Sequence, residues 1–89
     1  FHQQSDMLAE TLQTLGCQQC TAGIPGHGDI VTFRMAPTQS PSHAGITIDQ
    51  QGTIVLIHAL YGYAVRAHRL AGHWQARLAG VYHFPGVIA

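Results

Sequence analysis

The chain has 89 residues, enough for one small domain and too few for two, and 46% of them are apolar while 9% are charged. An average soluble chain carries roughly 25% charged residues, so this composition describes a globular protein and excludes a disordered acidic or basic tail. Four arginines, no lysine and four carboxylates give a net charge of zero, which excludes nucleic acid and anionic membranes as partners bound by bulk charge. No apolar run approaches the ~18 residues of a membrane span, so no transmembrane segment is predicted.

The first predicted element is a helix within residues 1–16. Ser5 suits the N-cap position, leucines recur at i, i+4 and i+7 on one face, and Gly16 suits the position after the last turn. Residues 17–28 contain three glycines and a proline and are predicted to form a loop.

Residues 29–86 are predicted to form a sheet subdomain, because β-branched and aromatic residues alternate there between turn signals. The predicted strands are 30–35, 43–48, 53–59, 64–68 and 81–84, with a short helix at 73–79. Residues 49–52 are predicted to be a four-residue hairpin connection. This order predicts an α+β domain, with an antiparallel sheet of about four to six short strands and helix packed on it. Residues 1–89 as a whole are predicted to be a single domain or part of one.

Two of the seven histidines are predicted to lie side by side. His43 begins one predicted strand and His58 lies near the end of the next, so a turn centred on Gln50 and Gln51 puts them opposite each other to within one residue. Cβ atoms of cross-strand neighbours lie ~5 Å apart. Such a pair suits general base catalysis, in which one imidazole takes a proton from a nucleophile and the other fixes the tautomer and position of the first.

Two other interpretations fit the same spacing. Both histidines can be half-buried strand residues with satisfied nitrogens and no chemical function. Alternatively, zinc can bind His43, His58 and a cysteine, because Cys17 and Cys20 have the C-x₂-C spacing of a zinc knuckle. No function is predicted for four other histidines, His27, His68, His73 and His83.

Five short segments, in order, carry a resemblance to a known family. They are PGHGDIVTFR at 25–34, SHAGI at 42–46, IHA at 57–59, WQARLAGV at 74–81 and FP at 84–85. Together they resemble the second half of an NlpC/P60 cysteine peptidase domain, in particular the phage cell-wall peptidase branch.

The resemblance implies a papain-like α+β fold in which a helix carries the nucleophilic cysteine and the sheet supplies the histidine. By position, His43 corresponds to the family's general base and His58 to its third, orienting residue. The family cleaves amide bonds in the stem peptides of bacterial peptidoglycan, typically after γ-D-glutamate, and uses no cofactor. The implied origin is bacterial or phage, with action at the cell wall.

The family's Asp-Cys-Ser-Gly-type motif is absent from these 89 residues. Three explanations are open. The nucleophile can lie in a segment that precedes Phe1; the chain can be a degenerate, non-catalytic binding or phage-structural module; or Cys17 or Cys20 can act from an unusual position. The first is favoured, and it predicts peptidoglycan stem peptides as substrate and either the missing N-terminal segment or a second copy of the chain as the partner that covers the sheet.

Overall fold

The computed structural model describes residues 7–20, 24–59 and 64–84. Within them the chain forms, in order, α1 Met7–Thr14, β1 Gln18–Gln19, β2 Ile30–Phe33, β3 His43–Gln50, β4 Thr53–Ala59, β5 Val65–Arg69, α2 Gly72–Ala76 and β6 Leu78–His83. These strands form one antiparallel sheet in the order β1-β6-β2-β3-β4-β5. The predicted α+β class, with an antiparallel sheet of four to six strands, is confirmed at this level. In the described part of the chain, neither helix combines the length and the apolarity that crossing a membrane requires.

Helix α1 lies within the predicted range 1–16 and ends where Gly16 takes a left-handed backbone conformation, with φ of 90°. This turn returns the chain toward the helix, and the Cys17 N–H donates to the Leu12 carbonyl oxygen at 2.9 Å. Leu12 and Cys17 are buried against Tyr82 of β6. The predicted cap, Ser5, lies outside the described residues.

Strand β1 lies inside residues 17–28, which the sequence predicts to be a loop, so that prediction is wrong at Gln18–Gln19. Both glutamines are exposed, and they pair with His83 and Tyr82 of β6. The strand therefore depends on backbone pairing with a distant segment rather than on burial of its own side chains, and hydrophobic alternation gives no signal for it.

The β3–β4 hairpin turns through two residues, Gln51 and Gly52, and not through the predicted four-residue connection 49–52. Both take left-handed backbone conformations, with φ of 54° and 90°, as the tight turn favoured in twisted hairpins requires. The pairing Ile46 with Ile57 consequently puts His58 opposite Gly45, two residues along β3 from His43. The prediction that His43 and His58 lie opposite each other to within one residue is therefore wrong, because the offset is two residues, although both stay on the same face of the sheet.

The sheet packs against a different element on each face. One face carries a core of fully buried side chains, Val31, Phe33, Leu56 and Val81. Trp74 of α2 packs against this core, together with Leu70 before α2 and Leu78 at the start of β6. The opposite face packs on α1 at the β1, β6 and β2 side. Further along that face, toward β5, Ile46 and Val65 are exposed. The two candidate histidines of β3 and β4 belong to the face covered by α2.

Candidate functional site

His43 and His58 form a direct hydrogen bond, with Nε2 of His43 2.7 Å from Nδ1 of His58. The contact is a diagonal one across the hairpin, and it depends on the residue between them. A Cβ atom at Gly45 would lie 2.7 Å from Cδ1 of Leu56, 2.9 Å from the Ile57 carbonyl oxygen and 3.1 Å from Cβ of His58, so a larger residue here would force the backbone of β4 to shift. His58 is 3% exposed and His43 is half-buried.

A third histidine, for which the sequence predicts no function, extends this pair. Strand β5 pairs Leu56 with His68, which puts His68 diagonal to His58 on the same face. Nε2 of His68 lies 2.8 Å from Nε2 of His58, and Nδ1 of His68 lies 3.2 Å from the Arg69 carbonyl oxygen. The three rings therefore form a continuous chain across β3, β4 and β5, which we call the histidine relay. The same cross-strand arithmetic that links His43 with His58 could have found His68, had β5 been paired with β4.

Trp74 of α2 covers the histidine relay. Its ring centroid lies 5.3 Å from that of His43, 4.6 Å from that of His58 and 6.2 Å from that of His68. Phe33 of β2 supports the same group, 5.1 Å from Trp74 and 5.9 Å from His43. These aromatic contacts exclude water from one side of the relay and hold the ring planes in fixed orientations.

Hydrogen-bond chemistry fixes the tautomer of every ring in the neutral relay. A carbonyl oxygen can only accept, so Nδ1 of His68 carries the proton that it donates to Arg69. Nε2 of neutral His68 then accepts from Nε2–H of His58, whose Nδ1 in turn accepts from Nε2–H of His43. The Nδ1 atom of His43 is left with a lone pair, which is the electronic requirement for a general base.

Burial favours the neutral state that this arrangement needs. Burial lowers the pKa of His43 below its ordinary value of about 6.5, because the charged imidazolium loses hydration. The pKa of His58 is lowered by burial first, and then by repulsion from His43 and His68 when those rings are charged. Protonated His58 would also donate from both nitrogens, which would reverse the bond to His43.

Acid is expected to weaken the fold through these two groups. The pKa values of His43 and His58 are lower in the folded chain than in the unfolded chain. As the pH falls below about 6.5, the unfolded chain therefore binds more protons at these two residues, and the stability of the folded chain decreases. The free energy of unfolding of the wild-type chain minus that of His58→Leu, measured by urea denaturation, should be smaller at about pH 5 than at about pH 7.5. An unchanged or larger difference at the lower pH would contradict the lowered pKa of His58.

The two cysteines lie away from the histidine relay and on different faces of the sheet. Cys17 is buried with Leu12 and Tyr82 on the α1 face, whereas Cys20 packs against the core cluster that contains Val81. Cys17 and Cys20 are not joined by a disulfide. The structure therefore does not bring the C-x₂-C pair together with His43 and His58, and in the described ranges no group of three or more histidine, cysteine or acidic side chains is arranged to hold a metal ion.

Comparison with protein-family models, with curated proteins and with solved structures found no match for this chain.

Proposed function

We propose that the chain is the histidine-bearing part of a cysteine peptidase or amidase similar to the NlpC/P60 family, with a papain-like core, that cleaves peptidoglycan stem peptides. His43 is the general base and His58 is its positioning residue. The nucleophilic cysteine is a residue outside these 89, because Cys17 is buried on the other face and Cys20 has a different partner, His83.

The hydrogen bond of 2.7 Å between His43 and His58 is the observation that carries this proposal. It engages Nε2 of His43 and leaves Nδ1 as the ring nitrogen available to a nucleophile. His58, held in turn by His68 and covered by Trp74, keeps the His43 ring in one tautomer and one orientation. An orienting group behind a base is the arrangement that nucleophilic catalysis by a thiol needs.

The reaction follows from these positions. Nδ1 of His43 takes the proton of the attacking thiol, and the sulfur adds to the carbonyl carbon of the scissile amide. The C–N bond breaks as the imidazolium of His43 returns that proton to the leaving amine. His43 then removes a proton from water as the water oxygen attacks the thioester. The C–S bond breaks, the carboxylic acid leaves, and the thiolate takes the proton back from His43 to restore the free thiol. His58 stays neutral throughout and acts by orientation.

Hydrolysis of a defined peptide tests this proposal. The protein encoded by the complete reading frame is incubated with L-alanyl-γ-D-glutamyl-diaminopimelate and, as a matched control, with the same peptide linked through the α-carboxyl of glutamate. We expect cleavage of the γ-linked peptide after glutamate and no cleavage of the control, followed by chromatography and mass spectrometry. Retention on peptidoglycan with no cleavage of either peptide would contradict the proposal and support a binding module.

A further inference from the structure

Cys20, His83 and Asp29 meet at one end of the same sheet face. They lie at or next to the ends of β1, β6 and β2, which are neighbours in the sheet. In β6, Tyr82 pairs with Gln19 of β1 and with Ile30 of β2. One residue further along, His83 therefore lies opposite Asp29. It lies diagonal to Cys20 on the other side. The topology alone brings a thiol, an imidazole and a carboxylate together.

Asp29 is fixed and holds His83. Its side chain is 6% exposed, with Oδ1 2.6 Å from Nδ1 of His83, and Oδ2 accepts the Gly26 N–H at 2.7 Å. His83 therefore donates from Nδ1 and presents Nε2 as its second nitrogen. The side chain of Cys20 is hydrogen-bonded to His83. Cys20 is partly exposed and the His83 side chain is 39% exposed, so a small reagent can reach both.

This arrangement favours the ion pair of thiolate and imidazolium. The hydrogen bond to Asp29 first, then that to Cys20 and the charge of Asp29, raise the pKa of His83 above its ordinary value. The titratable groups that act on His83 are Asp29, from the segment before β2, and Cys20, after β1. A cysteine beside a histidine held in the charged form is present as thiolate below the ordinary thiol pKa of about 8.5.

The group is separate from the histidine relay. Asp29, just before β2, faces His83, and Phe33 at the other end of β2 faces His43; four residues of extended chain span ~13 Å. Neither site can therefore serve the other in a single proton transfer, and any chemistry at Cys20 is independent of the proposed peptidase activity.

We propose that Cys20, His83 and Asp29 form a second nucleophilic site, at which the Cys20 sulfur accepts an acyl group from an activated ester or thioester. The thiolate attacks the carbonyl carbon and forms a C–S bond, while the C–O or C–S bond to the leaving group breaks with its electron pair. His83 gives its Nε2 proton to that leaving group where the group is basic enough to take it, and Asp29 holds the ring throughout. The product is a thioester on Cys20.

Acetylation by p-nitrophenyl acetate tests the site on the chain itself. At about pH 6.5, where p-nitrophenolate release follows the reaction, Cys20 should be acetylated at least ~10-fold faster than the buried Cys17, with the two peptides resolved by mass spectrometry. His83→Gln should slow Cys20 acetylation severalfold at this pH, because the loss of thiolate outweighs the higher nucleophilicity of a more basic thiolate. His73→Gln is the matched control and should leave the rate unchanged.

The pH profile separates activation from a structural effect. In the wild-type chain the midpoint of the pH–rate profile for Cys20 acetylation should lie below about pH 8.5. In His83→Gln this midpoint should move up to about pH 8.5. Circular dichroism establishes that the variant is folded. The proposal is overturned by a folded His83→Gln chain with the wild-type midpoint, or by equal acetylation of both cysteines in the wild-type chain.

Discussion

Replacing His43 by alanine is expected to lower kcat/KM for the γ-D-glutamyl-diaminopimelate peptide by about 10²–10⁴-fold, the range that a positioned general base contributes. Alanine removes the Nδ1 lone pair that takes the proton of the thiol, and no other described ring in the histidine relay can replace it. Nδ1 of His58 loses its donor in this variant, but His58 is 3% exposed behind the position of His43 and its Nε2 is held by His68, so it stays out of reach of the thiol. The measurement is the initial rate of peptide cleavage at about pH 7.5, where neutral His43 predominates.

A histidine elsewhere provides the control for this experiment. His27 is exposed in the segment before β2, where its Nδ1 accepts the Asp49 N–H at 3.0 Å, and it does not contact the histidine relay. His27→Ala should therefore retain wild-type kcat/KM. Full activity in His43→Ala, or equal loss in both variants, would remove His43 from the mechanism.

The second large effect concerns the support of the histidine relay. Phe33→Ala is expected to lower the free energy of unfolding by about 3–5 kcal/mol, because the ring is fully buried between the core cluster, Trp74 and His43. Small domains have only about 5–15 kcal/mol in total, so the variant should unfold at much lower urea concentration.

A phenylalanine outside the core provides the control for Phe33→Ala. Phe84 follows β6 and is 38% exposed, and Phe84→Ala should cost less than about 1 kcal/mol. Equal loss of stability in the two variants would contradict the assignment of Phe33 to the core that positions His43 and Trp74.

Local signals in the sequence are sufficient for much of the fold. The β-branched run at Thr53–Ala59 has the bounds predicted for it, and α1 falls within the predicted helix because leucine spacing and Gly16 are local features. Strand β1 has no such signal, because two exposed glutamines are held only by backbone pairing with β6. Secondary structure of that kind depends on a partner 60 or more residues away, which no local pattern encodes.

The candidate site is predictable in part, for a related reason. The proximity of His43 and His58 needs only that they share a face of one hairpin, so it survives a turn that differs from the predicted one. Predicting that His68 contacts His58 requires the register between β4 and β5. Predicting the contact of His83 with Asp29 requires the pairing of residues 54 apart in the chain. Both depend on the order of strands in the sheet, which the sequence pattern does not specify.

The tautomer of His43 decides most directly whether this residue can be the general base, because that function requires a lone pair on Nδ1. Two-dimensional NMR that correlates ring carbon-bound protons with ring nitrogens distinguishes protonated from unprotonated nitrogens in each histidine. At about pH 7.5 we expect His43 and His58 to carry the proton on Nε2 and His68 to carry it on Nδ1. A His43 ring protonated on Nδ1, or three rings that exchange freely between tautomers, would contradict the histidine relay and the function proposed for it.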